Sequence, residues 1–295
     1  MLKQEAGNLM DRTDCANCHA ALVWNGEYAC CAACGLWHSR LQPRVLDEQA
    51  WASLDEAARG VALQTLRYSN FRLVLDRLQQ LSGERRGRLL DIGCAHGWFL
   101  EQARTRGFDC SGLEPDPRLA SHARQQDNQV REGFFPDALA ADEVFDVLVF
   151  NDVFEHLPDP AAALQACFRH LAPGGRLVLN LPLASGFLFR VAGVLRAIGV
   201  QGPWARMWQV GFPSPHLYFF QSRHLQQLCT REGLQPEYQG SLHTLAGGAG
   251  LWERLRMDRQ APLWLHAMQW SLLVVLAPLL RFLPADIGLL IFRKH

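Results

Sequence analysis

The stretch from Arg88 to Leu100, R-L-L-D-I-G-C-A-H-G-W-F-L, limits the fold more than any other part of the chain. Leu89, Leu90 and Ile92 form an apolar run broken only by Asp91, the pattern of a buried strand. Gly93 and Gly97 then open a segment whose apolar residues recur at helical spacing. A strand entering a helix through a glycine turn lets backbone N–H groups approach a ligand, with the positive end of the helix dipole behind them. The spacing, Asp-x-Gly-x-x-x-Gly, differs from the dinucleotide fingerprint Gly-x-Gly-x-x-Gly, because Ala95 holds a turn position and the acidic residue precedes the glycines. Ala95 fits such a turn if its φ is negative. An ordinary tight connection satisfies the same pattern, so the neighbouring segments decide.

Those segments repeat the alternation. Trp98 to Arg106 reads as a helix stopped by Gly107, and Phe108 to Leu113 as a second strand ending at Glu114-Pro115-Asp116-Pro117. An acidic residue at the tip of a second strand is the usual partner of ribose hydroxyls in nucleotide-binding α/β sheets, which singles out Glu114. A helix near Leu119–Gln126, a short strand near Val130 and the loop Gly133-Phe134-Phe135-Pro136 follow. Val144–Phe150 is an apolar strand that runs into N-D-V-F-E-H-L-P-D-P. The helix Ala161–Leu171 stops at Pro173-Gly174-Gly175, and Arg176–Leu181 is the next strand. This order argues for a doubly wound parallel sheet, whose ligands sit at the carboxyl ends of the strands. Gly93, Glu114, Asn151 and Pro182 all fall there.

Asp91-Ile92-Gly93-Cys94-Ala95-His96-Gly97, Leu113-Glu114-Pro115, Phe145-Asp146-Val147, Val153-Phe154-Glu155-His156-Leu157 and Leu171-Ala172-Pro173-Gly174-Gly175 together resemble the class I S-adenosylmethionine-dependent methyltransferases, over about Leu66 to Tyr238. The resemblance implies a Rossmann-like α/β sheet of seven strands with the last antiparallel, and S-adenosylmethionine as cofactor. Gly288-Leu289-Leu290-Ile291-Phe292-Arg293-Lys294 looks like that last strand. By the same resemblance, Asp91 and the backbone of Gly93, Cys94, Ala95 and Gly97 would hold the amino-acid part of the cofactor. Glu114 would take its ribose hydroxyls and Phe134 would neighbour the adenine. Asn151 and Asp152 would line the cleft beside the sulfonium. The cysteine knuckles and Pro215-His216-Leu217-Tyr218-Phe219-Phe220 look like small-molecule methyltransferases, including enzymes acting on sugars, quinone precursors and lipid-linked intermediates. Methylating a hydroxyl or an activated carbon requires removing a proton, for which histidine is suited near neutral pH. His156 and His216 are the candidate bases; each could instead only cap or pack. His96, inside the turn, lies nearer the cofactor than a base would, and Tyr218 is a weaker candidate.

Upstream, Cys15-x2-Cys18 and Cys31-x2-Cys34 are separated by twelve residues. Two such knuckles make a tetrahedral structural Zn2+ site, and four thiolates leave no open position for catalysis. Cys30 could compete with Cys31 through the looser C-x3-C spacing, and His19 and His38 read as bystanders. The resulting division is a zinc ribbon over 1–44, a helical leader over 45–84 and a methyltransferase domain over 85–295. The leader reads as two helices with a break at Ser69-Asn70. Within the last domain, 183–221 is an insertion over the cleft that forms a substrate lid. Ser222 is a suitable N-cap for the helix Arg223–Glu232, and Leu234–Leu245 is a sixth strand.

The segment 247–285 is a second, apolar insertion. Its stretch Pro262–Leu283 would measure ~33 Å as a helix, enough to cross a bilayer. His266, Gln269, Ser271 and Pro278 interrupt it, and if both its ends join one sheet it cannot cross once. An in-plane helix or hairpin resting on an anionic membrane face, flanked by Arg254, Arg256, Arg259 and Arg281, is the expectation; a buried helix or a dimer surface is the alternative. Oligomeric state stays open. With 29 basic and 29 acidic residues there is no surplus to grip nucleic acid. The start has no secretory signal, and the nine cysteines suit a reducing cytoplasm. The expectation is therefore a cytoplasmic enzyme, peripheral at the inner membrane face if 262–283 binds lipid. It would methylate an O or C atom of a small or lipid-linked acceptor. A ribosomal RNA methyltransferase using the ribbon, and a non-catalytic membrane-associated scaffold, are the rivals.

Overall fold

The computed structural model describes residues 12–47, 56–83, 87–126, 128–242, 263–264, 267–268, 270–271 and 283–295. Seven strands form one sheet in the order β5-β4-β3-β6-β7-β10-β9. They are β3 (Arg88–Ile92), β4 (Asp109–Glu114), β5 (Val130–Glu132), β6 (Phe145–Asn151), β7 (Leu171–Pro182), β9 (Leu234–Leu242) and β10 (Ile287–Lys294). The first five pair in parallel, and β10 lies antiparallel between β7 and β9.

Alternation along each strand explains why the sheet is covered on both faces. Leu89, Val147, Val149, Val178, Leu289 and Ile291 pack into one apolar cluster. Their neighbours Leu90, Leu148, Phe150, Leu177, Leu179, Leu290 and Phe292 pack into another. Successive side chains point to opposite faces, so a strand apolar at every position needs a layer on each side. The first layer contains α1 (Glu56–Ser82), α2 (Trp98–Thr105) and α3 (Pro117–Gln125), which contribute Phe71, Leu75, Phe99, Ala103 and Ala120. The second contains α4 (Pro160–His170) and α7 (Ser222–Arg231), with Leu164, Cys167, Leu225 and Cys229.

The expected break at Ser69-Asn70 does not occur: α1 runs through it without interruption. Leu66, Asn70, Phe71, Val74, Leu75 and Leu78 are buried at spacings of three and four, so the packed face continues across the polar pair. Propensity penalties of about 0.7 kcal/mol or less per residue do not outweigh that burial. Two boundaries also move. Helix α4 ends at His170 and β7 begins at Leu171, ahead of the glycines. Ser222 is the first helical residue of α7, and the cap is Gln221, whose N–H donates to His224 Nδ1 at 3.1 Å.

Residues 12–47 and the lid are joined by a second sheet. Here β1 (Tyr28–Cys30), β2 (Trp37–Ser39) and β8 (Tyr218–Phe219) pair in that order, with Trp37 opposite Phe219 and His38 opposite Tyr218. The lid helices α5 (Phe187–Ala197) and α6 (Gly202–Met207) bring Phe189, Trp204 and Trp208 against Tyr28 and Trp37. Most of 262–283 lies outside the described residues, as do Arg254, Arg256, Arg259 and Arg281. Leu263, Trp264 and Met268 are described, helical and exposed. Among the described residues no helix is long and apolar enough to cross a membrane.

Candidate active site

The carboxyl ends of β3 and β6 converge on one cleft lined by Asp91, Gly93, Cys94, Ala95, His96, Asn151 and Asp152, with Arg67 and Trp98 contributed by helices. Gly93 has φ +71, and a Cβ there would stand 2.6 Å from Val153 Cγ2. Only glycine lets the β3–α2 turn pass so close to the segment after β6. Gly97, at φ +77, plays the same part at the start of α2.

The turn departs from expectation in two ways. Ala95 has φ +47, in the left-handed region that costs a residue with a Cβ about 1–2 kcal/mol. The conformation is held by one bond: Ala95 N–H donates to Glu114 Oε2 at 2.8 Å. The backbone donors of the turn are also engaged within the protein. Gly93 and Cys94 N–H both donate to Leu113 O, at 2.8 and 3.0 Å, and Gly97 N–H donates to Cys94 O at 2.9 Å. The carboxylates of Asp91, Glu114 and Asp152 stand around the turn, which suits a cationic ligand.

Two of those carboxylates are buried. Glu114 is 6% exposed; its Oε1 accepts from Asp116 N–H at 2.9 Å and its Oε2 from Ala95 N–H. An ionised carboxylate offers about four lone-pair sites, so hydroxyl donors can still be accepted. Asp91 accepts from Asn151 Nδ2 at 3.1 Å, and Asn151 Oδ1 accepts in turn from Asn180 Nδ2 at 3.2 Å. Burial raises Asp91 to about 8, with the negative charge of Glu114 adding to the rise and Asn151 and Arg67 opposing it. Cys94 offers its backbone alone to the cleft, because its Sγ lies against β4 where a Cβ on Gly112 would sit 2.6 Å away. Neither Glu114 nor Phe134 is among the residues lining this cleft; Glu114 reaches it through Ala95, and Phe134 follows Gly133, whose N–H donates to Glu114 O at 3.1 Å. His96 stacks on Trp98 at 4.7 Å between ring centroids. The enclosed volume is about 30 Å³, room for a water or two.

Beyond Asp152 (φ +55) the chain makes a single 3-10 turn, Phe154–His156. This turn meets the lid. His156 Nδ1 lies 2.8 Å from Pro215 O, and Leu217 N–H donates to Glu155 O at 2.9 Å. The rings of His156 and His216 are 4.8 Å apart. The structure thus brings together two candidate bases from distant parts of the sequence. It adds residues that sequence reasoning missed: Glu155, Gln209, Ser39 and Arg67. Glu155 stood beside His156 in the motif, and its burial was the one signal within reach. Ser39 fixes the lid from the ribbon, its Oγ donating to His216 O at 2.7 Å and its N–H to Leu217 O at 2.9 Å.

The ribbon itself is built from two matching knuckles. Cys15 N–H donates to Ala20 O and His19 N–H to Cys15 O; Cys31 N–H donates to Leu36 O and Gly35 N–H to Cys31 O. Each knuckle needs a left-handed residue, supplied by Gly35 at φ +80 and by His19 at φ +60. The Sγ atoms of Cys15 and Cys34, and of Cys18 and Cys31, are 3.5 Å apart, and all four lie within 4.8 Å of one another. Four sulfurs about 2.3 Å from a tetrahedral Zn2+ stand about 3.8 Å apart, so the thiols fit that ion. Cys30 and His19 are exposed, His38 is buried, and all three lie outside the cluster.

Residues 66–239 match the family described as "Methyltransferase domain". The chain is 38% identical over 117 residues to a ubiquinone biosynthesis O-methyltransferase of Psychrobacter cryohalolentis, covering 36% of this chain and 46% of that protein. It is 32% identical over 155 residues to the protein of the same name from Cereibacter sphaeroides, covering 50% and 60%. The chain thus spans about half the length of these curated relatives. Among solved structures, the cyclopropane synthase MmaA2 of Mycobacterium tuberculosis superposes with a TM-score of 0.58 at 20% identity, over 86% of this chain and 99% of that one. A SAM-dependent methyltransferase of Thermotoga maritima gives 0.52 at 17% identity, over 84% and 99%. The seven-stranded sheet with its antiparallel last strand and the match over 66–239 lead to one conclusion: the chain belongs to the methyltransferase-domain family and has the fold of the SAM-dependent methyltransferase on which it superposes.

Proposed function

We propose that this enzyme methylates a hydroxyl oxygen of a small or lipid-linked acceptor, with a quinone precursor as the leading class. The observation that carries the reading is the pairing of His156 with His216, with His156 four residues along the chain from Asp152, which lines the cleft. The names of the curated relatives support oxygen as the methylated atom.

The cofactor, when bound, supplies a methyl group on a positively charged sulfur. The residues at the strand ends fit such a group: Glu114 would hold the ribose hydroxyls by charge-assisted hydrogen bonds, and Asp91 would take the ammonium of the amino-acid part. Arg67 faces that part's carboxylate, while Asn151 and Asp152 close the side towards the acceptor. Phe134, next to Glu114, borders the adenine. His156 removes the hydroxyl proton as the new bond forms, and the lid keeps water out.

In this reading the four cysteines hold a structural Zn2+ whose role is to fix the ribbon over 1–44 against the lid over 183–221. The helical leader (45–84) and the remainder (85–295) make the catalytic body. The exposed Leu263, Trp264 and Met268 belong to a peripheral contact with an anionic bilayer, which would bring a lipid-linked acceptor to the lid. Flotation with anionic liposomes tests that contact: protein left in the soluble fraction overturns it.

Labelled S-adenosylmethionine tests the central reading, using the full chain with hydroxylated quinone precursors and, separately, a cell extract fractionated into lipid, nucleotide-sugar and RNA. Label in a methoxy group of a small or lipid-linked product is expected. Label confined to carbon or to RNA overturns the reading.

A further inference from the structure

Glu155 is fully buried, and among the described residues neither of its carboxylate oxygens has a hydrogen-bond partner. Its Oε1 lies 3.9 Å from His156 Nε2 and 3.8 Å from His216 Nε2. A buried carboxylate without a donor is costly unless it has a use, and the groups it faces are the two candidate bases. We propose that Glu155 is the positioning and proton-holding partner of His156: it receives the proton that His156 takes from the acceptor. The proposal rests on the O-methyltransferase reading above and names the residue on which that site's base depends.

The tautomers follow from the neighbours. His156 Nδ1 donates to Pro215 O, so the neutral ring carries its lone pair on Nε2, the atom turned towards Glu155. Gln209 Nε2 lies 2.9 Å from His216 Nε2, and an amide nitrogen only donates, so His216 Nε2 accepts and that ring is held neutral. Two imidazoliums 4.8 Å apart would repel each other, so a neutral His216 leaves the positive charge to His156. Among the three side chains His156 is the most exposed, at 14% against 8% for His216 and 0% for Glu155. A proton arriving from a bound acceptor meets His156 first.

The atoms balance. The acceptor O–H bond breaks and its proton goes to His156 Nε2, while the oxygen's electron pair forms the new bond to the methyl carbon. The bond from that carbon to sulfur breaks, and its electron pair stays on the formerly cationic sulfur. His156 then gives the proton to the ionised Glu155, which returns it to solvent when the lid opens. The distances of 3.9 and 3.8 Å close to hydrogen-bond length by rotation of the Glu155 side chain. Burial, followed by the charge of Asp152, raises Glu155 well above the ordinary carboxylate value, against its own backbone N–H and Arg67, so the buried carboxyl favours holding a proton.

The test compares wild type with Glu155→Gln for kcat against pH, with cofactor affinity measured alongside. Loss of about 100-fold in kcat is expected, with the low-pH limb shifted down towards the ordinary imidazole value of about 6.5. Cofactor affinity should stay within about threefold, as a merely structural role would not ensure. An unchanged rate and pH profile overturns the proposal. If the variant does not fold, histidine nitrogen NMR on the wild-type protein decides. A two-step titration of His156, coupled to a second group, supports the proposal, and an independent single titration overturns it. That spectrum also separates the two readings: a chain that methylates no hydroxyl would sink the O-methyltransferase reading, while the titration still decides the shared proton.

Discussion

The two walls of the proposed site are built by different means. The cofactor wall comes from strand ends of one sheet, with residues 91–97, 114 and 151 tied to one another by bonds between adjacent strands. The acceptor wall is assembled from Ser39, Glu155, His156, Gln209 and the loop 215–217, which meet only because β2 of the ribbon pairs with β8 of the lid. The first wall is a property of the sheet and the second a property of a docking event. The acceptor wall can therefore be lost while the cofactor wall stands.

Dismantling the ribbon breaks the comparison most directly. Replacing Cys18 by Ser, or stripping the proposed Zn2+ with a chelator, removes a contribution to folding that reaches about 10 kcal/mol or more in small zinc modules. Trp37 would leave Phe189 and Trp204, contacts of 5.9 and 5.2 Å between ring centroids, and Ser39 would release His216 O. Methyl transfer should fall by more than about 100-fold, while cofactor affinity by calorimetry changes by less than about threefold. Equal losses in both would show that the walls are one cooperative unit.

The reciprocal change acts on the other wall. Glu114→Ala removes a buried charged acceptor and leaves the N–H groups of Ala95 and Asp116 without it. Hydrogen bonds to a charged group are worth about 1.5–3 kcal/mol, so cofactor affinity should drop by about 10- to 100-fold. The acceptor KM should be nearly unchanged. A larger effect on the acceptor than on the cofactor would mean that the carboxylate faces the wrong ligand.

A pH series sharpens the electrostatic side. Asp91 is raised from 3.8 to about 8 by burial and by Glu114, against Asn151 and Arg67, so the empty cleft holds a proton through neutrality. A cation entering the cleft favours the ionised form and expels that proton. Affinity for the cofactor should therefore rise with pH, by up to about tenfold per unit, and level off above about pH 8. Asp91→Asn should flatten the curve. Since the folded value lies above the unfolded one, the same group lowers the stability of the cofactor-free protein as pH climbs towards 8.

The cofactor wall was legible in the sequence because its parts are local. Gly93, Glu114 and Asn151 each follow an apolar run of strand length, and the rule that ligands sit at strand ends needs no knowledge of distant contacts. What stayed hidden there was conformational: the spacing could not show that Leu113 O consumes two N–H groups, nor that Ala95 would turn left-handed. On the acceptor side the cysteines and histidines could be named as residue types. Their assembly could not, because β8 is only two residues long and carries no pattern that distinguishes it from loop. Asn70 misled for a related reason: a polar residue on the buried face of a long helix looks like a break until the packing around it is known.

The smallest effects probe one residue on each wall. Ala95 at φ +47 and His19 at φ +60 both occupy backbone conformations that glycine adopts freely. The left-handed penalty of about 1–2 kcal/mol is partly offset by glycine's greater freedom in the unfolded chain, about 0.4–1 kcal/mol. Ala95→Gly and His19→Gly should each stabilise by less than about 1 kcal/mol, read as a small rise in midpoint on urea unfolding. If the walls are independent, the sheet's transition should respond to Ala95→Gly alone. His19→Gly should instead appear in the quenching of Trp37, Trp204 and Trp208, which report the ribbon–lid contact. Since the two sites share no partner, their effects in the double variant should add to within about 0.5 kcal/mol, and a larger coupling would join what the structure keeps apart.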